Sequence, residues 1–128
     1  MQPYCFSILA SENELLKSIL NLSDAMVDER AKLLVRAKTT ENINSNERIA
    51  LYIYILIGDR TEELATIEYS ISPDRELTVS ILPLTTVSEH ERYYDFVVNH
   101  VEDWRIAYYA KISGQLPKAK ALGLEPNS

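Results

Sequence analysis

Residues 51–60 read LYIYILIGDR. Seven apolar or aromatic residues stand in a row and end at a glycine followed by two charges. A bilayer span needs about 20 such residues, so the run is too short to cross a membrane. It is a buried helix or a buried strand. Isoleucines and tyrosines favour a pleated sheet, and the length and the Gly58-Asp59-Arg60 stop decide for a strand. Read from Ile49, the strand places Ile49, Leu51, Ile53, Ile55 and Ile57 on one face. Ala50, Tyr52, Tyr54 and Leu56 fall on the other.

The same period continues downstream. In ELATIEYSIS, Leu64, Thr66, Glu68 and Ser70 alternate with Ala65, Ile67, Tyr69 and Ile71. SPDRE is a turn, with Pro73 suited to the first central position of a type I turn. LTVSILP then alternates Leu77, Val79 and Ile81 against Thr78, Ser80 and Leu82. Three strands joined by short turns make an antiparallel meander. One face, with Ile67, Tyr69, Ile71, Leu77, Val79 and Ile81, is expected in the core. The other, with Thr66, Glu68, Thr78 and Ser80, is expected to be wetter, and Tyr52 and Tyr54 are expected on it.

Upstream, Ser11 and Glu14 form a capping-box pattern, and Leu15, Leu16, Ile19, Leu20 and Leu22 recur at helical spacing. A helix over 12–22 follows. Ahead of it, PYCFSILA suits a short strand or an entering arm, and Pro3 favours an edge position over a central one. Residues 21–40, NLSDAMVDERAKLLVRAKTT, read two ways. As a helix they extend the stripe through Met26, Val27, Arg30, Leu34 and Ala37. As a strand they turn Leu33, Val35 and Ala37 inward, and Lys32, Arg36 and Lys38 outward. Good helix formers dominate, which favours helix to about Arg30, with Ser23-Asp24 a break or a new cap. Residues 32–39 stay open between the two. The polar run 39–47, TTENINSNE, reads as a loop.

Past the meander, Ser88 and Glu91 form a second capping-box pattern and open a helix over 89–113. Its stripe is Tyr94, Val97, Val98, Val101, Trp104, Tyr108 and Ile112. Gly114 stands at the favoured stop and Pro117 opposes resumption. The expected fold is therefore α+β. It has an N-terminal helix (or two, or a helix plus a strand), a three- to four-stranded antiparallel meander, and a long C-terminal helix on one sheet face. Residues 1–115 form one domain, and 116–128 form a tail, draped by Leu116, Leu122 and Leu124 or loose.

The chain has 128 residues and a formal net charge of -6. Its length allows a core without metal or disulfide support. The negative charge disfavours phosphate backbones and anionic membranes as partners. A double-stranded-RNA reader would need basic residues at the start of the last helix, where this chain has SEHERYYD. With Cys5 the only cysteine and no convincing signal sequence, a cytoplasmic location is expected.

No pattern marks a catalytic, cofactor-binding or metal site. His90 and His100 lie about 80° and about 15 Å apart on an ideal helix, too far to share an ion. His100 could serve as a base oriented by Asp103, but a polar-face histidine is the commoner finding. Glu91, Asp95, Asn99 and Glu102 form an acidic stripe that lacks further oxygen ligands. Gly58, Gly114 and Gly123 are too scattered for a phosphate-cradling loop.

Eight tyrosines stand out. Aromatic residues with a polar tip are enriched at interfaces, and the last helix carries more of them than one sheet face covers. Tyr93, Phe96, Trp104 and Tyr109 are the interface candidates. The competing reading has the tyrosines rimming the core with their hydroxyls in water. The expected function is a non-enzymatic acidic interaction module (adaptor, small chaperone, inhibitor or immunity-like factor) with a protein partner and a homodimer. The alternatives are a small-molecule-binding or sensory domain with a pocket between sheet and helix, and an enzyme whose site is scattered in sequence.

Overall fold

The protein is an α+β fold with a five-stranded antiparallel sheet and one long C-terminal helix. The computed structural model describes the backbone of residues 1–43 and 46–121, and the side chains of residues 1–36 and 48–113. The elements in chain order are β1 (Tyr4–Leu9), α1 (Glu12–Leu20), β2 (Ala31–Ile43), β3 (Asn46–Ile57), β4 (Arg60–Ile71), β5 (Glu76–Pro83) and α2 (Glu91–Ala121). A 3-10 turn, Ser88–His90, leads into α2.

The strand order is β1-β5-β4-β3-β2. The meander expected from 49–82 is present, and two further strands flank it. β1 pairs antiparallel with β5, from Tyr4↔Ile81 to Leu9↔Glu76, and so takes an edge, the position that the preceding Pro3 favours. β2 lies on the opposite edge against β3. The β1-α1-β2 connection therefore crosses the whole sheet, and α1 and α2 share the face that it crosses. Leu15, Ile19 and Leu22 meet Ile53, Ile55, Ile67 and Val79 in one buried cluster with Tyr94, Val97 and Val101.

Ile49, Leu51, Ile53 and Ile55 are all buried, while Ala50, Tyr52, Tyr54 and Leu56 are half-buried on the far face. The β3–β4 hairpin closes through Gly58 and Asp59, with Ile57 opposite Arg60. Gly58 has φ +64, a left-handed conformation that only glycine adopts without strain, at the position where such hairpins prefer it. At the next turn Arg75 N–H donates to the Ser72 carbonyl at 2.9 Å, so Pro73 does occupy the first central position. Arg75 then takes the left-handed conformation that returns the chain into β5.

The strict alternation expected for β4 breaks at one point. The register steps from Ile53↔Ala65 to Tyr54↔Glu63, leaving Leu64 as an extra residue. Such a bulge turns the side chains on its two sides onto the same face. Leu64, Ala65, Ile67 and Tyr69 are consequently all buried, and Glu62 is aimed toward the helices.

Several sequence expectations need correction. The helix does not run to Arg30. It ends at Leu20, and Asp24 adopts φ 68. From there the backbone lies along β2: Asp24 N–H donates to the Leu33 carbonyl at 2.8 Å, and Leu33 N–H donates to the Ala25 carbonyl at 2.9 Å. Residues 31–39 are strand in spite of their helix formers. β3 offers them a full hydrogen-bond ladder, and burial of Ala31 and Leu33 outweighs a propensity difference of about 0.5 kcal/mol per residue. The loop expected at 39–47 is also strand wherever it is described. β2 and β3 stay paired from Thr39↔Ala50 out to Ile43↔Asn46, because backbone pairing does not require apolar side chains. Residues 44 and 45 lie outside the described residues.

Ser11 does cap α1, but its hydroxyl accepts from Asn13 N–H at 3.2 Å. Ser88 makes no cap, since the chain enters α2 through the 3-10 turn. Gly114 and Pro117 do not end α2, whose backbone stays helical to Ala121. Glycine lowers helix propensity without barring it, and proline forfeits a single N–H···O bond. The expected tail lies outside the described residues from 122 onward, as does the side chain of Leu116.

Candidate functional site

The antiparallel order brings the start of β2, the β3–β4 turn and the start of α2 to one end of the sheet. There they enclose an open cleft of about 590 Å³. Ile57 and Val87 form its apolar walls, Arg30, Arg60, Glu62, Glu89 and Arg92 bring the charges, and His90 also lines it.

His90 is the buried centre of this region. Its Nε2 lies 2.8 Å from Glu62 Oε2, and its Nδ1 lies 3.3 Å from Thr85 Oγ1. A carboxylate only accepts, so Nε2 carries a proton toward Glu62, and in the neutral ring Nδ1 accepts from the Thr85 hydroxyl. Thr85 Oγ1 in turn accepts from Val87 N–H at 3.1 Å, and the imidazole packs against Tyr93 with centroids 5.9 Å apart. Hydroxyl, imidazole and carboxylate in series is the order that activates a nucleophile. Thr85, however, does not line the cleft, so the series orients Glu62 and His90 without presenting its hydroxyl to the cleft. Replacing Glu62 with Ala strips buried His90 of its acceptor and is expected to cost about 1–3 kcal/mol. A urea titration checks this, read as a lower midpoint at unchanged slope.

Behind the cleft, Asp28 ties the loop after α1 to α2. Its Oδ1 accepts from the backbone N–H of Arg30 at 2.8 Å and of Ala31 at 2.9 Å. Its Oδ2 faces Arg92 Nη2 at 2.9 Å and accepts from the Tyr93 hydroxyl at 3.3 Å. The Arg30 N–H above all, with the Ala31 N–H, Arg92 and Tyr93, holds the Asp28 carboxyl below its usual range against the opposing effect of burial. That direction suits a permanently charged anchor and is opposite to what a general acid needs.

His100 is elsewhere. Its Nε2 lies 2.7 Å from the Ser18 carbonyl. A carbonyl only accepts, so that nitrogen is a donor clipping α1 to α2 and not a base. Glu102 pairs with Arg105 at 3.5 Å, and Arg105 Nε donates to Tyr4 Oη at 3.2 Å. Among the described residues, no group of three or more histidine, cysteine or carboxylate side chains is placed to hold a metal ion. Cys5 is exposed on β1.

The four aromatic interface candidates separate. Tyr93 is only 4% exposed and belongs to the core. Phe96 and Trp104 pack partly against the core, with Trp104 stacked on Tyr108 at 5.5 Å. Tyr109 is 67% exposed. Sequence reasoning missed the cleft entirely. Its arginines stand 30 or more positions apart, and each looks like an ordinary surface charge. The one available signal was that all three lie at element boundaries, which an antiparallel sheet gathers at its ends.

No helix among the described residues is long and apolar enough to cross a membrane. No protein-family model matches the chain, and no curated protein matches it. Among solved structures, the chain is similar to the solution structure of cyanobacterial PsbP (CyanoP) from Synechocystis sp. PCC 6803. The identity is 10% and the TM-score 0.49, over 77% of this chain and 64% of that one. The chain thus spans a little under two thirds of that protein's length, and the likeness carries no functional argument.

Proposed function

We propose that this chain is a non-enzymatic protein-interaction module that works as a two-fold homodimer, with the distal part of α2 as its contact surface. The observation that carries the reading is where α2 stops being buried. Tyr93, Tyr94, Val97 and Val101 are in the core, and no α2 residue described beyond Val101 is. Yet the helix continues and keeps Trp104, Ile106, Tyr108, Tyr109 and Ile112. Ile106 and Tyr109 are more than half exposed. A helix in water draws most of its stability from packing an apolar face, and a two-fold axis lets one self-complementary surface cover itself. The acidic surface suits a cytoplasmic protein that keeps away from nucleic acid and anionic membranes. An adaptor, chaperone, inhibitor or immunity-like role fits this character.

Sedimentation equilibrium tests the reading. The expected mass at micromolar concentration is twice the 14.6 kDa of the chain. The double variant Ile106→Glu/Tyr109→Glu is expected to sediment as a monomer that keeps the wild-type circular dichroism spectrum, because neither side chain is in the core. A wild-type mass of 14.6 kDa throughout removes the dimer and its proposed surface. The cleft favours a second reading, a ligand-binding domain with its pocket between sheet and helix.

A further inference from the structure

The cleft at the end of the sheet points to a small-molecule site, and we propose that it binds a small multivalent anion through phosphate or carboxylate groups. The proposal rests on the arginines and not on the α2 surface. The chain has a formal net charge of -6, yet three of its seven arginines line this one cleft, against the carboxylates of Glu62 and Glu89.

Their donors are not used up. Among the described residues, the Arg30 guanidinium has no hydrogen bond or ion pair; only its backbone N–H is engaged, by Asp28. Arg60 reaches Glu62 only at 3.7 Å, while Glu62 gives its close contact to His90. Arg92 makes its contacts to both Asp28 and Tyr93 through Nη2, and as a cleft-lining residue it keeps Nε and Nη1 without a hydrogen bond among the described residues. A guanidinium presents two parallel donors that match two oxygens of a carboxylate or phosphate. Several such forks around one cleft favour a ligand with more than one anionic group. The space, about 590 Å³, is within the range of small-molecule sites. The anchors around it are fixed: Asp28 holds Arg92 at 2.9 Å, and buried His90 holds Glu62 at 2.8 Å.

The test is an NMR titration of the full-length protein with pyrophosphate and, separately, with citrate, each at ionic strength matched with sodium chloride. The expected result is saturable shifts of the amides of residues 57–62 and 89–93 with one of the two anions, and the stronger binder tells phosphate from carboxylate chemistry. Arg30→Gln/Arg60→Gln is expected to weaken that binding by about tenfold or more. Arg75→Gln, at the opposite end of the sheet, is expected to leave it unchanged. Both changes lie on exposed side chains, so the fold survives them. Absence of saturable shifts with either anion up to about 10 mM, a range that reaches weak specific binding, overturns the proposal. So does an equal loss of affinity in Arg75→Gln, which would mark diffuse charge attraction.

Discussion

Ile53→Asp is expected to lower the stability of this protein by about 3–5 kcal/mol, the cost of a buried carboxylate with no partner. Ile53 lies on β3, flanked by Val35 on β2 and Ala65 on β4, and is fully buried. Water cannot reach the new carboxylate without parting the sheet from the helices above it. The core around it includes Leu15 and Ile19 of α1 and Val97 of α2, so one change weakens both layers. Thermal unfolding followed by circular dichroism should show a midpoint lowered by about 10 °C or more. A variant melting within a degree or two of the wild type would mean that residue 53 is not in the core. Ile53→Val at the same site is expected to cost only about 1 kcal/mol, which separates the charge effect from simple loss of packing.

Tyr94→Ala should have a comparable effect, about 3–5 kcal/mol, from the cavity left by a buried aromatic ring. Tyr94 is 2% exposed. Its hydroxyl lies 2.7 Å from the Gln2 carbonyl and 3.0 Å from the Ile81 carbonyl, sharing one proton between them. The side chain thus ties α2 to β5 and to the chain entering β1. Tyr94→Phe keeps the ring and is expected to cost about 1 kcal/mol, with most of the loosening in residues 1–9, where hydrogen exchange can detect it.

The same hydroxyl gives the protein an alkaline limit. Burial foremost, with the charges of Cys5 and Asp95, pushes its pKa up to about 12. In the unfolded chain the phenol ionises near pH 10. Below that both states hold the proton and the contribution to stability is complete. As pH rises through the window toward about 12, the unfolded chain releases its proton while the folded one keeps it, so stability falls. Tyr94→Phe should flatten that part of the stability curve. An unchanged slope between pH 10 and 12 would show that this phenol does not govern it.

The strand at residues 49–57 and the meander after it were legible because alternation with a period of two is a property of consecutive residues. Which face is buried follows from the same pattern. α1, Glu12–Leu20, and the stripe of α2 were legible for the corresponding reason at a period of 3.6. What local pattern could not decide was β2. Residues 32–39 read equally as helix or strand by themselves and become a strand because β3 has an edge to pair with. Residues 39–43, 46 and 47 are strand because their backbones complete the β2–β3 ladder. Nor could local pattern reveal the bulge at Leu64, whose extra residue turns Glu62 toward His90 28 positions later.

Composition and charge set only an expectation against nucleic acid and anionic membranes as partners, since net charge governs attraction at a distance and a local basic patch can depart from it. The aromatic surplus of α2 was also visible, but its division was not. Tyr93 and Tyr109 are equivalent as letters. Sixteen helical residues turn Tyr109 about 160° away from Tyr93, and no described residue beyond Val101 is in the core, so one is core and the other surface. The cleft was the least legible feature. Arg30, Arg60 and Arg92 converge only because antiparallel strands return to the same end of the sheet, and an anion-binding geometry there is made by tertiary structure and by no motif.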